Sequence, residues 1–420
     1  MPDQLLTAQG RDLLARLAGE EVTPERALAL STALRERYPA DLVAAALTQQ
    51  ALRAAGRAKF GAADSMLFTR AGLEQASSDL TAQHAASRFA GFALIADLCC
   101  GIGGNLMPLA ALPGRPAVVA VDADPTSLEF ARHNVDVATG TVPTATVPTA
   151  ARVGYVRADV RDIQLTGFDA VFIDPARRDQ RGRLPAGQYQ PPLAWCLGLA
   201  DVVPAVGIKA APGLRTDVVP PGWEIEFVAV GRDLKEALLW SPALATAATR
   251  ATILAASDAR AGNDARAAGE PPTAGVTLTA GVTLKGTPAD RPVTRLGAPG
   301  AYLLDPNPAV TRAGLVADLA ATLGAWQIDP MIAFLSSDQP LRTPFARTLR
   351  VLESAPWHER RFAARLRELG IGAADIRRRG LAGDVRQIHR RLGLRGEGAA
   401  TIVLTRVNDQ PWGLICDPLR

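Results

Sequence analysis

Cysteine is scarce in this chain. Its four cysteines, Cys99, Cys100, Cys196 and Cys416, form no C-x-x-C pair and two are adjacent, which excludes a disulfide framework and a zinc ladder. The four histidines, His84, His133, His358 and His389, are scattered, so no metal site is expected. No apolar run reaches the roughly 20 residues needed to span a bilayer. The first stretch, MPDQLLTAQGRDLLARLAGE, is charged throughout and does not read as a signal peptide. These absences predict a soluble cytoplasmic protein with no metal and no membrane partner. Lysine is also rare: Lys59, Lys209, Lys235 and Lys285 are the only four, so arginine carries nearly all positive charge.

Apolar residues make up 48% of the 420, ample for a sizeable core, and the length predicts two or three domains. The net charge of +4 is unevenly spread. Residues 341–400 hold fourteen arginines against six acids, while the first 340 residues carry a small negative excess. An anionic partner for the C-terminal part, RNA first among the candidates, fits that asymmetry. Solvated helix faces in an arginine-rich chain fit it too.

Residues 1–84 read as an N-terminal helical unit. Leu5, Leu13, Leu14, Leu17, Leu28, Leu30 and Leu34 fall on recurrent faces, and Thr23-Pro24-Glu25 marks a helix start. From Ala93 short apolar runs alternate with helical stretches: 93–98, 117–122, 153–159, 168–174 and 203–209. That order predicts a parallel α/β sheet across 85–250, with a hairpin from 223–230 and 236–240 at its edge. Residues 141–150 and 256–275 are low-complexity insertions, and 251–294 reads as a variable linker and hairpin carrying the near-repeat 275–284. Residues 295–420 predict a helix over 311–324, strands at 348–354, 373–380 and 399–407, and helices at 358–370 and 383–394. This is a small α+β domain.

The chemistry concentrates at strand ends. In IADLCCGIGGNLMPLA (95–110) a buried strand ends at Asp97, and a glycine turn leads into a helix. Gly101 and Gly103 allow close backbone approach, and the helix start presents free N–H groups. A dinucleotide loop needs a third glycine where Leu106 stands, and the Asp97 carboxylate would repel a pyrophosphate. The same carboxylate suits the ammonium of S-adenosylmethionine. Asp122 ends the next strand, 21 positions past Gly101, where a carboxylate can accept from both ribose hydroxyls. Asp124 is the second choice for that role, or a helix cap. Asp159 follows the third strand and is placed either to meet the adenine amino group or to cap a turn. Asp174 and Pro175 end the fourth strand in FDAVFIDPARR (168–178), facing the cleft where open α/β sheets bind substrates. There Asp174 and the Pro175 carbonyl would orient a methyl acceptor, and Arg177 or Arg178 would bind a phosphate or carboxylate.

Taken together, residues 93–240 resemble a class I S-adenosylmethionine-dependent methyltransferase with a Rossmann-like sheet. Asp97, Cys100, Gly101, Gly103, Gly104 and Asn105 match the D-x-x-C-G-x-G-G-N loop of RNA methyltransferases of the trimethylguanosine synthase type. That resemblance implies cofactor contacts from Cys100 and Asn105. It also places Ser77, in Ser77-Ser78-Asp79, at a helix start that touches the cofactor, with Ser77 as its cap. Residues 295–420 resemble the THUMP-like domain attached to a family of bacterial methyltransferases, which implies an RNA substrate. Two departures stand out. Amine-directed relatives carry Pro-Pro and then an aromatic after the acid, where this chain has Pro175-Ala176-Arg177. Uracil-methylating enzymes require a catalytic cysteine after the fifth strand, and KAAPGL (209–214) has none. The expectation is therefore direct in-line methyl transfer, with Asp174, Pro175 and Arg177 at the acceptor. A small-molecule or protein acceptor, or a non-catalytic cofactor-binding RNA-binding protein, are the alternatives.

Overall fold

The computed structural model describes residues 2–20, 22–140, 152–176, 178–179, 182–183, 188–255, 281–287 and 292–418. Both low-complexity insertions, most of the 275–284 near-repeat, and Arg177 lie outside the described residues. The chain divides into two compact units. One comprises Met1–Trp223, Glu236–Ala245 and Leu254–Ala280; the other comprises Glu224–Lys235, Thr246–Ile253 and Gly281–Arg420.

The first unit opens with helices Ala8–Arg16, Pro24–Arg35 and Ala40–Gly56. Thr23 caps the second, accepting from the Arg26 N–H, with Pro24 in the first turn as the sequence predicts. Leu13, Leu14 and Leu17 are buried, but Leu28 is 77% exposed and belongs to no core face. Four parallel strands follow: β1 (Leu94–Leu98), β2 (Ala117–Asp122), β3 (Val153–Arg157) and β4 (Ala170–Ile173). The order is β3-β2-β1-β4, continued by the parallel strand Ala205–Ala210 and then by residues 236–240, which run antiparallel to it. Every residue of β4 and of Ala205–Ala210 is buried, as expected of strands covered on both faces. Chain order reverses between β1 and β4, and such a switch point opens a crevice at the carboxyl ends of the strands.

The second unit is built on a seven-stranded sheet. Its order is Trp326–Gln327, Leu335–Ser337, Tyr302–Pro306, Ala346–Pro356, Gln410–Pro418, Gly398–Val407 and Ile371–Arg378. Helices Glu359–Glu368 and Val385–Leu392 pack Phe362, Leu366, Ile388 and Leu392 against Ile402, Leu404 and Ile415. The single helix expected over 311–324 is two, Pro308–Ala313 and Val316–Leu323. Gly314 between them has φ 70°, which ends the first helix in a left-handed cap. The closing strand Gln410–Pro418 was not anticipated. The same unit contains Glu224–Val230, whose Glu224 is fully buried and paired with Arg250 at 2.6 Å.

Candidate active site

The loop after β1 turns sharply because three of its residues take positive φ: Cys99 at 59°, Gly101 at 53° and Gly103 at 90°. At Gly103 any side chain would be strained, since φ is 90° and a Cβ would stand 3.2 Å from the Ala131 Cα on the helix Pro125–Thr139. Asn134 on that helix is fully buried and fixes the loop. Its Nδ2 donates to the Ile102 carbonyl (2.9 Å) and the Leu67 carbonyl (2.9 Å), and its Oδ1 accepts from the Leu67 N–H (2.8 Å). One side chain therefore joins the glycine loop, the helix and the incoming N-terminal segment.

Asp97 lies in β1 between Ala120 and Phe172 and is 1% exposed. Among the described residues neither carboxylate oxygen has a hydrogen-bond partner. Burial pushes its carboxyl well above the ordinary range, and the nearby Asp174 and Asp122 push it further, against the opposing pull of Lys209. A buried carboxylate without donors is costly. A cation bearing N–H groups is what it lacks.

Asp122, half-buried at the end of β2, accepts from the Gly101 N–H (2.8 Å) with one oxygen and from the Asp124 N–H (2.9 Å) with the other. Burial raises its carboxyl, and those two N–H groups partly offset the rise. Each oxygen keeps a lone pair, so the pair can still receive a vicinal diol. Asp124 serves as the helix cap, accepting from the Ser127 N–H at 3.0 Å. Asp159 accepts from the Arg161 backbone and is bidentate with its guanidinium at 3.0 and 2.5 Å. That contact lowers the Asp159 carboxyl to about 2. Cys100 is buried, its thiol pushed up by burial and by Asp97, and Asn105 is buried at the start of helix Leu106–Ala110.

Asp174 leaves β4 with its N–H donating to the Leu98 carbonyl (3.2 Å), which sets it beside β1 across the crevice. Its carboxylate pairs with Lys209 Nζ at 2.7 Å; the lysine side chain is 7% exposed and the aspartate 26%. Pro175 is buried, and Ala176 bridges to Gln190 through two hydrogen bonds of 2.9 Å.

Three participants escaped the sequence reading. Lys209, at the end of strand Ala205–Ala210, also donates to the Gln75 carbonyl at 3.2 Å. Glu236 is buried and accepts from Ser77 Oγ at 3.1 Å, and among the described residues its other oxygen has no hydrogen-bond partner. Burial raises the Glu236 carboxyl against the pull of Lys209. Asn134 is the third. Ser77 does not cap the helix Asp79–Ala86. Ser78 does, because it has the extended backbone (φ −72°, ψ 161°) and its oxygen accepts from the Thr81 N–H, while Ser77 turns inward to Glu236. The segment still reaches the loop, for a Cβ at Gly104 would lie 3.2 Å from the Ala76 Cβ.

Against this geometry, an uncharacterised S-adenosylmethionine-dependent methyltransferase of Mycobacterium tuberculosis (strain CDC 1551) is 37% identical over 350 residues, spanning 81% of this chain and 85% of its own. The chain belongs to the S-adenosylmethionine-dependent methyltransferases. This methyltransferase matches a strain H37Rv protein of the same description to the same extent. A solved structure described as a methyltransferase from Porphyromonas gingivalis W83 shares its fold, with TM-score 0.70 at 17% identity over 95% of this chain and all of that one. Residues 346–418 match a family described as THUMP domain-like, and residues 3–56 match a domain of unknown function. The cofactor is S-adenosyl-L-methionine, and the unpartnered Asp97 beside the glycine loop fits a ligand that carries an ammonium group. Among the described residues no group of three or more His, Cys, Asp or Glu could hold a metal ion, and no helix is long and apolar enough to cross a membrane.

Proposed function

We propose that this methyltransferase modifies a base in RNA by direct in-line transfer. In this reading Asp97 receives the cofactor's ammonium, Asp122 its ribose diol, and Asp159 its adenine amino group. Asp159 would turn from Arg161 to do so. Gly101, Gly103, Cys100 and Asn105 line the loop that accommodates the cofactor, and Ser77 borders it through Glu236. The sulfonium brings its own activation, so the protein's task is alignment and exclusion of water. Asp174 and the Pro175 carbonyl hold the acceptor, and Arg177, by its place in the Asp-Pro-x-Arg sequence, is assigned to the acceptor's anionic groups. Lys209 pairs with Asp174 at 2.7 Å, which holds that carboxylate in place to orient a nucleophile.

The observation that carries the RNA assignment is the state of the arginines within the THUMP-like match. Arg360, Arg361 and Arg367 on one helix and Arg386 and Arg390 on the other are exposed, and among the described residues none has a carboxylate partner. A row of uncompensated guanidinium groups is the footprint of a phosphate backbone. Modified-nucleoside mass spectrometry of RNA from a strain lacking the gene tests the assignment. The expected result is loss of one methylated nucleoside, restored by the wild-type protein and not by an Asp97→Asn variant. An unchanged nucleoside profile would redirect the search to small molecules and proteins.

A further inference from the structure

Asp305 sits near the end of strand Tyr302–Pro306 with its side chain 4% exposed. Two arginines bind it directly. Arg232 Nη2 is 2.8 Å from Oδ2, and Arg379 Nη2 is 2.8 Å from Oδ1. Arg379 is further fixed by the Ala333 carbonyl (3.0 Å) and by the Phe334 ring, 4.7 Å from its guanidinium carbon. Arg377 reaches the same carboxylate at 3.7 Å while donating to Asp375 at 2.9 Å. Arg347, the register partner of Asp305 on the neighbouring strand, lies 3.6 Å from Asp375.

Four guanidinium groups thus share two carboxylates. Elsewhere in this unit Arg350, Arg391 and Arg406 each meet an acid of their own, and Arg365 meets two. The crowding has an electrostatic signature: Arg232 is held below the ordinary arginine range by burial, and Arg377, Arg347 and Arg379 add to that against Asp305. Beside the cluster is a cavity of about 490 Å³ lined by Arg342, Thr343, Pro344, Ala346, Arg347 and Thr348. Arg347 belongs to both the cluster and the cavity, and its side chain is 31% exposed. Thr343 Oγ accepts from the Phe345 N–H at 3.2 Å and keeps its own proton to donate.

We propose that Arg347, backed by Arg377 and Arg232, binds a phosphate monoester in this cavity. Arginine's planar fork matches phosphate oxygens. The excess of two positive charges matches the roughly −1.5 to −2 carried by a monoester at pH 7, and exceeds the single charge of a carboxylate or a phosphodiester. The terminal phosphate of a polynucleotide and a free phosphate share that chemistry. The site stands whether or not RNA is the methyl acceptor.

Calorimetry and thermal melting of the full chain with inorganic phosphate, against potassium chloride of equal ionic strength, test the proposal. Phosphate should bind, raise the melting temperature as a native-state ligand does, and bind more weakly at pH 5.5 than at pH 7.5, since the second proton comes on near pH 6. Arg347→Gln should weaken binding about tenfold or more, the loss of one charged hydrogen-bonding partner. Arg350→Gln, on an exposed pair with Asp417, should not. In phosphate-free buffer Arg347→Gln should melt no lower than wild type, because it relieves repulsion; a purely structural arginine would lower it. A 5′-phosphorylated oligoribonucleotide binding more tightly than its 5′-hydroxyl twin assigns the site to an RNA end. Equal binding of the two, with phosphate still bound, assigns it to a free phosphate. No binding beyond chloride, or an Arg347→Gln variant that binds like wild type, overturns the proposal.

Discussion

Asp97 is both the least comfortable side chain of the first unit and the most informative. Its two buried oxygens have no donors among the described residues, and two other acids lie near enough to raise its carboxyl further. Without cofactor, the group is therefore better off protonated. Two consequences follow from linkage. A carboxyl raised in the folded state holds protons that the unfolded chain releases, so stability falls as pH climbs from the ordinary aspartate value, about 3.9, toward the raised folded one. An Asp97→Asn variant lacks that loss, and its melting temperature relative to wild type should rise with pH over that window. Cofactor binding should also expel the proton where the free protein still holds it. The calorimetric heat of binding would then vary with the ionisation enthalpy of the buffer; a heat independent of buffer across acidic and neutral pH contradicts the protonated free state.

Lys209 gives the complementary prediction. It is the positive charge paired with Asp174 at 2.7 Å, and it acts on Asp97 and Glu236 as well. Lys209→Met would leave Asp174 without its ion pair and remove the pull that favours the charged forms of Asp97 and Glu236. The cost expected for a pair that is partly open at Asp174 is about 1–3 kcal/mol, below the roughly 3–5 kcal/mol of a fully buried one. Urea denaturation should show that loss at pH 7.5 and less of it as pH falls, because Asp97 and Glu236, whose carboxyls burial raises, take up protons above the ordinary carboxylate range. A loss that does not change with pH would point to packing instead of charge.

At the scale of the element, the glycine loop works because its backbone occupies space that side chains cannot. Gly103→Val puts a β-branched residue at φ 90° and a Cβ against Ala131. The strained backbone alone costs about 1–3 kcal/mol. Because Asn134 ties loop to helix, the displacement should also weaken cofactor binding, measured by calorimetry beside a melting curve. A variant that melts like wild type contradicts the account.

Much of this element level can be read directly from the sequence. The apolar runs at 93–98, 117–122, 168–174 and 203–209 alternate with helical stretches and form the parallel strands, and Asp97, Asp122 and Asp174 fall at the carboxyl ends of the first three, where the crevice opens. What could not be read depends on partners far away in the chain. Lys209 matters because of Asp174, 35 residues off, and Glu236 because of Ser77, 159 residues off. Asn134 meets Leu67 across 67 positions. Ser77 and Ser78 are chemically alike, and only the backbone conformation at Ser78 decides which one caps the helix. The strand Gln410–Pro418 was missed because proline and glycine at 411, 413 and 418 interrupt its apolar pattern.

At the scale of the whole molecule, charge separates function from scaffold. Positive charge gathers in residues 341–400, but part of it is spent within the fold, around Asp305 and Asp375. On the two helices covering the sheet, Arg360, Arg361, Arg367, Arg386 and Arg390 have no such partner among the described residues. Arg386→Glu with Arg390→Glu should therefore weaken RNA binding uniformly across sequences and flatten its dependence on salt by about 1–2 in log–log slope. Both residues are exposed on the helix Val385–Leu392, so the fold should survive, as a melting curve would show. An unchanged slope in a folded variant would remove this face from the RNA interface.

The most direct measurement is a calorimetric titration of S-adenosylmethionine into the wild-type chain and into Asp97→Asn. The wild type should bind one equivalent, and the variant, folded and no less stable, should lose about ten- to a hundredfold in affinity, as expected when a charge-assisted contact with an ammonium is removed. Equal affinity in the two proteins would contradict the assignment of Asp97 and the site built around it.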